Sequence, residues 1–222
     1  MDEIKIITLK QSVFEDNNRD AELLRSSLKE SKTFLVNLMS SPGSGKTTTL
    51  LALSKILSKK WSMAVMEADI DSKVDAETLS QAGVPSIQLH TGGMCHLDAD
   101  MTRQGLLELG YEKYDLVILE NVGNLVCPAE FDTGAVKNIT ILSVPEGHDK
   151  PLKYPLMYET CDLLIVNKID VLPYFDFDCD LLTKYARMRN ANIDIIFVSA
   201  KTGEGIDQVA DWFSSNIAQW IK

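Results

Sequence analysis

The chain has 222 residues, a formal net charge of −10, and 45% hydrophobic against 24% charged residues. This length allows one large α/β domain with a proper core. An acidic chain without a block of Lys and Arg is a poor ligand for nucleic acid, because the phosphates would be repelled. No apolar run reaches the roughly 20 residues of a membrane-spanning helix, and residues 1–3 lack the basic start of a signal peptide. We therefore expect a cytoplasmic protein with no nucleic-acid or membrane partner.

A glycine-containing loop at residues 40–47, Ser-Ser-Pro-Gly-Ser-Gly-Lys-Thr, joins an apolar run to a helical pattern. That setting is the one a phosphate-binding P-loop requires. Gly43 and Gly45 let successive N–H groups curl around an anion at the helix N-terminus. Lys46 then offers its charge to the β- and γ-phosphates, and Thr47 offers its hydroxyl to Mg²⁺. The predicted phosphate-binding set of this loop also includes Ser44 and Thr48.

Helical patterns alternate with short β-branched or leucine-rich runs beyond this loop. Such alternation predicts a doubly wound, mostly parallel sheet flanked by helices, the fold of P-loop NTPases. Ligands of such folds bind at the carboxyl ends of the strands, so the residues after each run matter most. The predicted strands are 34–39, 63–67, 86–89, 116–119, 139–144, 163–167 and 193–198, and the predicted helices include 47–60 and 206–221.

We predict a single domain over residues 1–222, in which residues 1–32 form a helical extension at the N-terminus. Within this extension, apolar residues at helical spacing over 16–29 indicate a helix that packs on the domain. The residues of this apolar stripe are Ala21, Leu23, Leu24 and Leu28.

The sequence Asn-Lys-Ile-Asp at 167–170 follows a predicted strand and has the form N-K-x-D. Guanine presents two adjacent donors, N1–H and the N2 amino group, and the Asp170 carboxylate can accept from both. Adenine has no such pair and would leave Asp170 unsatisfied, at a cost of about 1–3 kcal/mol. Asn167 can bridge loops, while the stem of Lys168 lies along the ring. Residues Ser199, Ala200 and Lys201 match the loop that meets guanine O6 in GTPases, so the sequence favours GTP over ATP.

Residues 120–123, Glu-Asn-Val-Gly, stand where many GTPases carry D-x-x-G. Glu120 places a carboxylate at a strand end, where it can hold Mg²⁺, and Gly123 has an N–H that can sense the γ-phosphate. Several carboxylates follow the strand that ends near residue 67, and of these Asp69 is predicted near the attacking water and Asp75 near Mg²⁺. The predicted catalytic set is Lys46, Asp69, Glu120 and Gly123, and the predicted Mg²⁺ ligands are Thr47, Asp75 and Glu120.

Two adjacent soft donors, Cys95 and His96, lie on a glycine-loosened turn before a helical pattern, and Cys127 follows Glu120 by seven residues. Three such ligands suit Ni²⁺ or Zn²⁺, with water or a partner chain as the fourth. The alternative is that these are buried structural cysteines, the role we assign to Cys161 and Cys179. Four cysteines do not indicate a disulfide framework. Because Cys127 shares a loop with Glu120 and Gly123, loss of the γ-phosphate can move one metal ligand relative to the other two.

These motifs together resemble the hydrogenase maturation GTPases of the HypB type, P-loop GTPases of the MinD and signal-recognition-particle-like branch. The resemblance runs from the P-loop to the C-terminal helix and includes a serine at position 40 of the P-loop motif. Its other segments are 92–99, 120–129, 146–155 and 167–170. It implies a slow GTPase that acts as a homodimer and binds nickel or zinc near the dimer interface through Cys95, His96 and Cys127. It also implies transfer of nickel to a [NiFe]-hydrogenase large-subunit precursor, with a small zinc-containing nickel chaperone as partner.

One departure from that family concerns residues 1–32, which contain no cysteine or histidine and so lack the nickel-storage motifs of some members. Lys153 either reaches across a dimer interface to the nucleotide or belongs to an ordinary basic turn, and residues 171–175 form an apolar patch that is either a self-association surface or core. Two alternatives stay open: a nickel GTPase of the urease-accessory type, which would carry Cys-Pro-His at 95–97, and a metal-independent regulatory GTPase.

Overall fold

The computed structural model describes the backbone of residues 6–8, 14–69 and 74–222, and the side chains of residues 16–68 and 77–222. Its centre is a parallel sheet whose strand order is β1-β4-β3-β5-β2-β6-β7-β8. All seven strand pairings are parallel. The strands are β1 (Ile6–Thr8), β2 (Phe34–Ser40), β3 (Met63–Asp69), β4 (Ser86–His90), β5 (Leu116–Glu120), β6 (Lys137–Ser143), β7 (Leu163–Asn167) and β8 (Asp194–Phe197).

Helices connect these strands and cover both faces of the sheet. The described helices are α1 (Phe14–Ser31), α2 (Lys46–Leu57), α3 (Val74–Gln81), α4 (Ala99–Leu109), α5 (Cys127–Glu130), α6 (Lys150–Lys153), α7 (Pro155–Glu159), α8 (Cys179–Arg189) and α9 (Ile206–Trp220). Short 3₁₀ turns lie at Tyr111–Lys113, Val144–Glu146 and Ile169–Tyr174. No helix in the described ranges is both long enough and apolar enough to cross a membrane.

The central strands are buried on both faces because helices cover the sheet on each side. Every residue of β2, β5 and β7 is buried, which is why these segments read as continuous apolar runs rather than as an alternation. One face packs against α2, α3 and α9. The opposite face packs against α1 and α4 over one half, and against α7 and α8 over the other. The carboxyl ends of the strands therefore carry the loops available for a site.

The predicted doubly wound parallel sheet is confirmed, and its seven predicted strands lie within a few residues of the observed ones. The N-terminal region differs from the prediction, because β1 adds a strand at the sheet edge ahead of the predicted helix. The stripe expected on that helix is also narrower than predicted. Ala21, Leu24 and Leu28 are buried, whereas Leu23 is 60% exposed, since a helix directs adjacent residues 100° apart.

Candidate functional site

The predicted phosphate loop connects the end of β2 to the start of α2, as a P-loop does. Gly45 caps α2 in the left-handed conformation with a φ of 98°, a region that residues with a Cβ rarely enter. A Cβ at this position would lie 2.4 Å from the Asn167 amide nitrogen. The Ser44 hydroxyl is fully buried and has no hydrogen-bond partner among the described residues. A glycine cradle at a helix N-terminus with an unused hydroxyl fits a bound phosphate.

Lys46, the first residue of α2, directs its ammonium at the end of β5. Its Nζ lies 3.6 Å from Glu120 Oε1, and both side chains are largely buried. Thr47 is half-buried and Thr48 exposed on the following turn. The predicted P-loop lysine and the predicted Mg²⁺ carboxylate thus meet at one point, where the two opposite charges partly neutralise each other.

The carboxylates expected around Mg²⁺ are only partly described. Asp69 ends β3 and Asp75 lies in the first turn of α3, but their side chains lie outside the described residues. Glu67, which was not selected from the sequence, is 3% exposed and pairs in register with Glu120 on the neighbouring strand. In-register residues of parallel strands share a face, so Glu67 and Glu120 lie side by side facing α2. The sequence places Glu67 at the end of a predicted strand, but only the register of β3 with β5 pairs it with Glu120.

Gly123 lies against the phosphate loop. A Cβ built on it would sit 3.3 Å from Pro42 Cγ and 3.6 Å from Lys46 Nζ. The loop that contains Gly123 is anchored at its start by Asn121, whose amide donates to Asn37 Oδ1 at 3.0 Å. Gly123 is therefore close enough to the phosphate loop for a γ-phosphate to influence its backbone.

The predicted guanine-binding residues converge on the phosphate loop from β7. Asn167 Nδ2 donates to the Ser44 carbonyl at 2.9 Å, and Lys168 Nζ donates to the Gly43 carbonyl at 2.6 Å. The loop after β8 docks on the same residues: Ser199 Oγ donates to Asp170 Oδ1 at 2.7 Å, and the Ala200 N–H donates to Asn167 Oδ1 at 3.1 Å. Lys201 is exposed beside them. Asp170 is thus oriented by Ser199, next to the cradle for the phosphates.

Lys153 lies apart from this arrangement. Its ammonium pairs with Asp149 at 2.5 Å on the exposed helix α6, and this ion pair lowers the pKa of the Asp149 carboxyl. Helix α6 packs beside α7 and α8. A role of Lys153 at the nucleotide would therefore require a second chain.

The two cysteines predicted as metal ligands come together although 31 residues separate them in the sequence. The Cys127 thiol lies near enough to the Cys95 thiol to interact with it, and this interaction raises the pKa of the Cys127 thiol. Cys95 is exposed, and its Sγ lies 3.7 Å from His96 Nδ1. Each thiol that binds a soft divalent metal does so as the thiolate, so metal binding would release a proton from each of the two cysteines.

The imidazole of His96 is packed against a neighbouring aromatic side chain, whereas the Cys95 thiol is exposed. Its ring stacks on Phe131, with a centroid separation of 3.5 Å and an interplanar angle of 10°. Burial lowers the pKa of His96, which favours the neutral form that binds metals. Its Nε2 is buried and has no hydrogen-bond partner in the described part of the chain.

The described residues do not form a complete metal cluster. No group of three or more His, Cys, Asp or Glu side chains within the described ranges converges as metal ligands do. The His96 ring is meanwhile stacked on Phe131. Two thiols and an unsatisfied imidazole nitrogen nevertheless form a donor set that suits Ni²⁺ or Zn²⁺.

The other two cysteines, which were assigned to buried roles, differ from each other. Cys161 is fully buried, and burial raises its pKa to about 12. Cys179 is only half-buried at the start of α8, so its assignment to the core is wrong. Cys179 lies on the same helical face as the buried residues Leu182 and Ala186, but as the first residue of α8 it is at the end of that face and is only partly covered.

Two asparagines that sequence reasoning missed connect the metal loops. Asn124 Nδ2 donates to the Cys95 carbonyl at 2.5 Å, and its Oδ1 accepts from the Cys127 N–H at 2.9 Å. Asn17, on α1, accepts from the Ala99 N–H and donates to the Asp132 carbonyl, both at 2.9 Å. A lone asparagine carries no motif, so nothing in the sequence distinguishes these two from the others.

Comparison with known proteins places this geometry in a family. A model described as "CobW/HypB/UreG, nucleotide-binding domain" matches residues 34–197, which contain the phosphate loop, both cysteine loops and the N-K-x-D motif. The chain belongs to the CobW/HypB/UreG family. Its members are P-loop GTPases, so a nucleotide-hydrolysing role is supported at the level of the family.

Within the CobW/HypB/UreG family, the similarity is to HypB proteins. The chain is 43% identical to the hydrogenase maturation factor HypB of Azotobacter vinelandii over 208 residues, which is 94% of this chain and 69% of that protein. It is 40% identical over 219 residues to the hydrogenase/urease maturation factor HypB of Helicobacter hepaticus, covering 97% of this chain and 90% of that one.

A solved HypB structure has the same architecture. The crystal structure of HypB from Helicobacter pylori in complex with nickel superposes with a TM-score of 0.86 at 35% identity, over 92% of this chain and 96% of that one. The predicted resemblance to HypB-type hydrogenase maturation GTPases is therefore confirmed.

Proposed function

We propose that this chain is a GTPase that binds Ni²⁺ and delivers it during assembly of a [NiFe]-hydrogenase. The observation that carries the proposal is the contact between the Cys95 and Cys127 thiols beside a loop that reaches the phosphate cradle. Similarity to HypB maturation factors, one of them crystallised with nickel, supports the choice of metal and of pathway. Ni²⁺ is the cargo in this reaction, and hydrolysis of GTP is the switch.

The residues that would hold the nucleotide are those of the phosphate loop and of the two guanine loops. Lys46 would leave Glu120 to bind the phosphates, and Asp170 would accept from the guanine base. Thr47 and Glu120 fit Mg²⁺, since a P-loop hydroxyl and a strand-end carboxylate are its usual ligands. Bound Mg²⁺ would neutralise the charge on the β- and γ-phosphates. Slow turnover is expected because no arginine is evidently placed to act as a finger.

The proposed metal ligands are Cys95, His96 and Cys127. For all three to bind one ion, His96 would have to release its stacking on Phe131 or rotate so that one ring nitrogen faces the thiols. Gly92 and Gly93 precede this turn, both with positive φ, and give its backbone room to adjust. Zn²⁺ suits the same donors, so both metals belong in any binding test.

The proposed assembly is a homodimer that works with a small zinc-containing nickel chaperone and a hydrogenase large-subunit precursor. An exposed apolar patch supports self-association: within residues 171–175, Tyr174 is 82% and Phe175 44% exposed. Lys153 would then reach the nucleotide of the partner. Four unpaired thiols are consistent with a reducing cytoplasm.

A second destination for nickel is urease. One relative is described as a hydrogenase/urease maturation factor, although Leu97 in this chain replaces the histidine expected in a urease-accessory motif. A metal-independent regulatory GTPase fits less well, because it gives no reason for two thiols from distant loops to meet.

The test is the affinity and stoichiometry of Ni²⁺, measured by equilibrium dialysis of the protein with no nucleotide, with GDP and with a non-hydrolysable GTP analogue. We expect about one Ni²⁺ site whose affinity depends on the nucleotide. Cys95→Ala should lower the affinity by at least about 100-fold, since one thiolate bond is lost. Cys179→Ala, which removes a half-buried thiol on α8, should have no effect. Equal loss in both variants, or no binding by the wild type, would return the cysteines to structural roles.

A further inference from the structure

Asn124 lies between the nucleotide and metal sites. It directly follows Gly123, which lies so near the phosphate loop that a Cβ built on it would be 3.3 Å from Pro42 Cγ and 3.6 Å from Lys46 Nζ. The Asn124 N–H donates to the Val122 carbonyl at 2.8 Å, which fixes a tight turn at this point. Any displacement of the Gly123 backbone therefore moves Asn124.

The carboxamide of Asn124 holds both cysteine loops at once. Its Nδ2 donates to the Cys95 carbonyl at 2.5 Å. Its Oδ1 accepts from the N–H groups of Val126 and Cys127, each at 2.9 Å. Only this orientation satisfies all three contacts, because one neighbour is an acceptor and the other two are donors. One side chain thus sets the distance between the backbones of the two predicted thiol ligands.

We propose that Asn124 is a positioning residue that transmits the state of the phosphate loop to the nickel ligands Cys95 and Cys127. A shift of Gly123 on γ-phosphate binding displaces the Asn124 carboxamide, which strains or breaks one of its contacts with the two loops and so changes the spacing between the Cys95 carbonyl and the Cys127 N–H. The thiol separation, and with it the affinity for Ni²⁺, then depends on the nucleotide. The inference rests on the proposed function and names the residue that carries its coupling.

A purely local role for Asn124, in the turn before α5, would explain only some of its hydrogen bonds. Acceptance from the Val126 and Cys127 N–H groups supports the start of α5 and needs only the side-chain oxygen. Donation to Cys95, 29 residues away, serves no local turn. The two roles are separable, because aspartate keeps the acceptor and loses the donor.

The experiment compares wild type, Asn124→Asp and Asn124→Ala in the full chain. Ni²⁺ affinity is titrated through the thiolate-to-nickel charge-transfer absorption, with GDP and with a non-hydrolysable GTP analogue, at one protein concentration and with the oligomeric state followed by size-exclusion chromatography. We expect the wild-type affinity to differ between nucleotides by about 5- to 150-fold. In Asn124→Asp the charge-transfer band should persist while this ratio falls to within about twofold of one. Asn192→Asp, which adds the same charge at an exposed position on another loop, should keep the wild-type ratio.

Each outcome bears on a different claim. A nucleotide-dependent wild type with an equally dependent Asn124→Asp would overturn the role of Asn124 and leave the proposed function intact. A wild type that binds Ni²⁺ equally with both nucleotides would overturn the proposed coupling itself, and the role of Asn124 with it. If Asn124→Asp loses its native circular dichroism spectrum, Asn124→Ala replaces it in the test, because alanine removes the donor without adding charge. The ratio of its Ni²⁺ affinities with the two nucleotides then supports or overturns the role of Asn124.

Discussion

The Lys46 ammonium lies 3.6 Å from Glu120 Oε1, and the two side chains are 13% and 6% exposed. The P-loop lysine that is predicted to bind phosphates is thus paired with a carboxylate. Binding of GTP must exchange this partner for the phosphates, with Mg²⁺ available to take over Glu120. The ion pair therefore opposes nucleotide binding when Mg²⁺ is absent.

Glu120→Gln tests this competition. Without Mg²⁺, we expect the variant to bind GDP about tenfold more tightly than wild type, because a negative charge beside the phosphates is removed. Measured without added nucleotide, the variant should be less stable than wild type by about 3 kcal/mol, since Lys46 loses the counter-charge of Glu120. Fluorescent-nucleotide titration in EDTA and urea unfolding measure the two effects. Glu159→Gln, at an exposed position, is the charge control. Weaker GDP binding by Glu120→Gln in EDTA would contradict the competition.

Gly45→Ala should abolish the phosphate cradle. The added Cβ would lie 2.4 Å from Asn167 Nδ2 at a φ of +98°, so it would break the link between the phosphate and guanine loops. We expect nucleotide affinity to fall by at least about 100-fold, or about 2.7 kcal/mol. Gly43→Ala is the matched control, because Gly43 also has a positive φ but a Cβ built on it would lie in open space. The loss of GDP-binding free energy in this variant should be limited to the backbone strain, about 1–2 kcal/mol. Calorimetric GDP titration of both variants measures the difference, and equal losses would argue against the steric explanation.

The sequence predicts the parts of this site that consist of short motifs of consecutive residues. A P-loop or an N-K-x-D motif has its geometry fixed by a strand before it and a turn within it, so Lys46 and Asp170 could be identified directly. Contacts between distant segments carry no such signature. The Asn17 to Ala99 hydrogen bond spans 82 residues, and the ring of His96 is directed by Phe131, which lies beyond the next cysteine loop.

One local prediction was wrong for a physical reason. Leu23 belongs to an apolar stripe by composition, yet the direction of α1 leaves it exposed. In the same way, register with Glu120 distinguishes Glu67, which was not selected from the sequence. Hydrophobic periodicity and secondary-structure propensity describe one helix or strand at a time. The exposure of Leu23 and the register of Glu67 depend instead on which other elements pack against that helix or strand.

Asn17→Ala should destabilise the protein although it lies far from the phosphate loop. Asn17 is 4% exposed, and its loss would leave the Ala99 N–H and the Asp132 carbonyl without this partner. We expect the free energy of unfolding to fall by about 2–3 kcal/mol. Asn18→Ala, one residue along and exposed, should change it by less than about 0.5 kcal/mol. Urea unfolding of the two variants measures this contrast, and similar values for both would show that α1 does not tie these segments together.

The buried thiol of Cys161 makes stability depend on pH in the alkaline range. Burial raises its pKa from the ordinary 9.0 to about 12. Above pH 9 the unfolded chain releases this proton while the folded protein retains it, so stability is fully present below pH 9 and is lost as the pH rises further. The limiting slope is about 1.4 kcal/mol per pH unit for one group. Buried Tyr158, whose pKa burial also raises, adds to the fall at higher pH in every variant.

Cys161→Ala isolates the contribution of the thiol. At pH 7 the variant should be less stable than wild type by about 1 kcal/mol, because a small cavity replaces the sulfur. Between pH 9 and 10 this difference should shrink or change sign, since alanine has no proton to lose and the wild type weakens by up to about 1.4 kcal/mol. Urea unfolding at half-unit steps from pH 7 to 10 gives both curves. A difference that stays constant across this range would mean that the Cys161 thiol ionises as readily in the folded protein as in the unfolded chain.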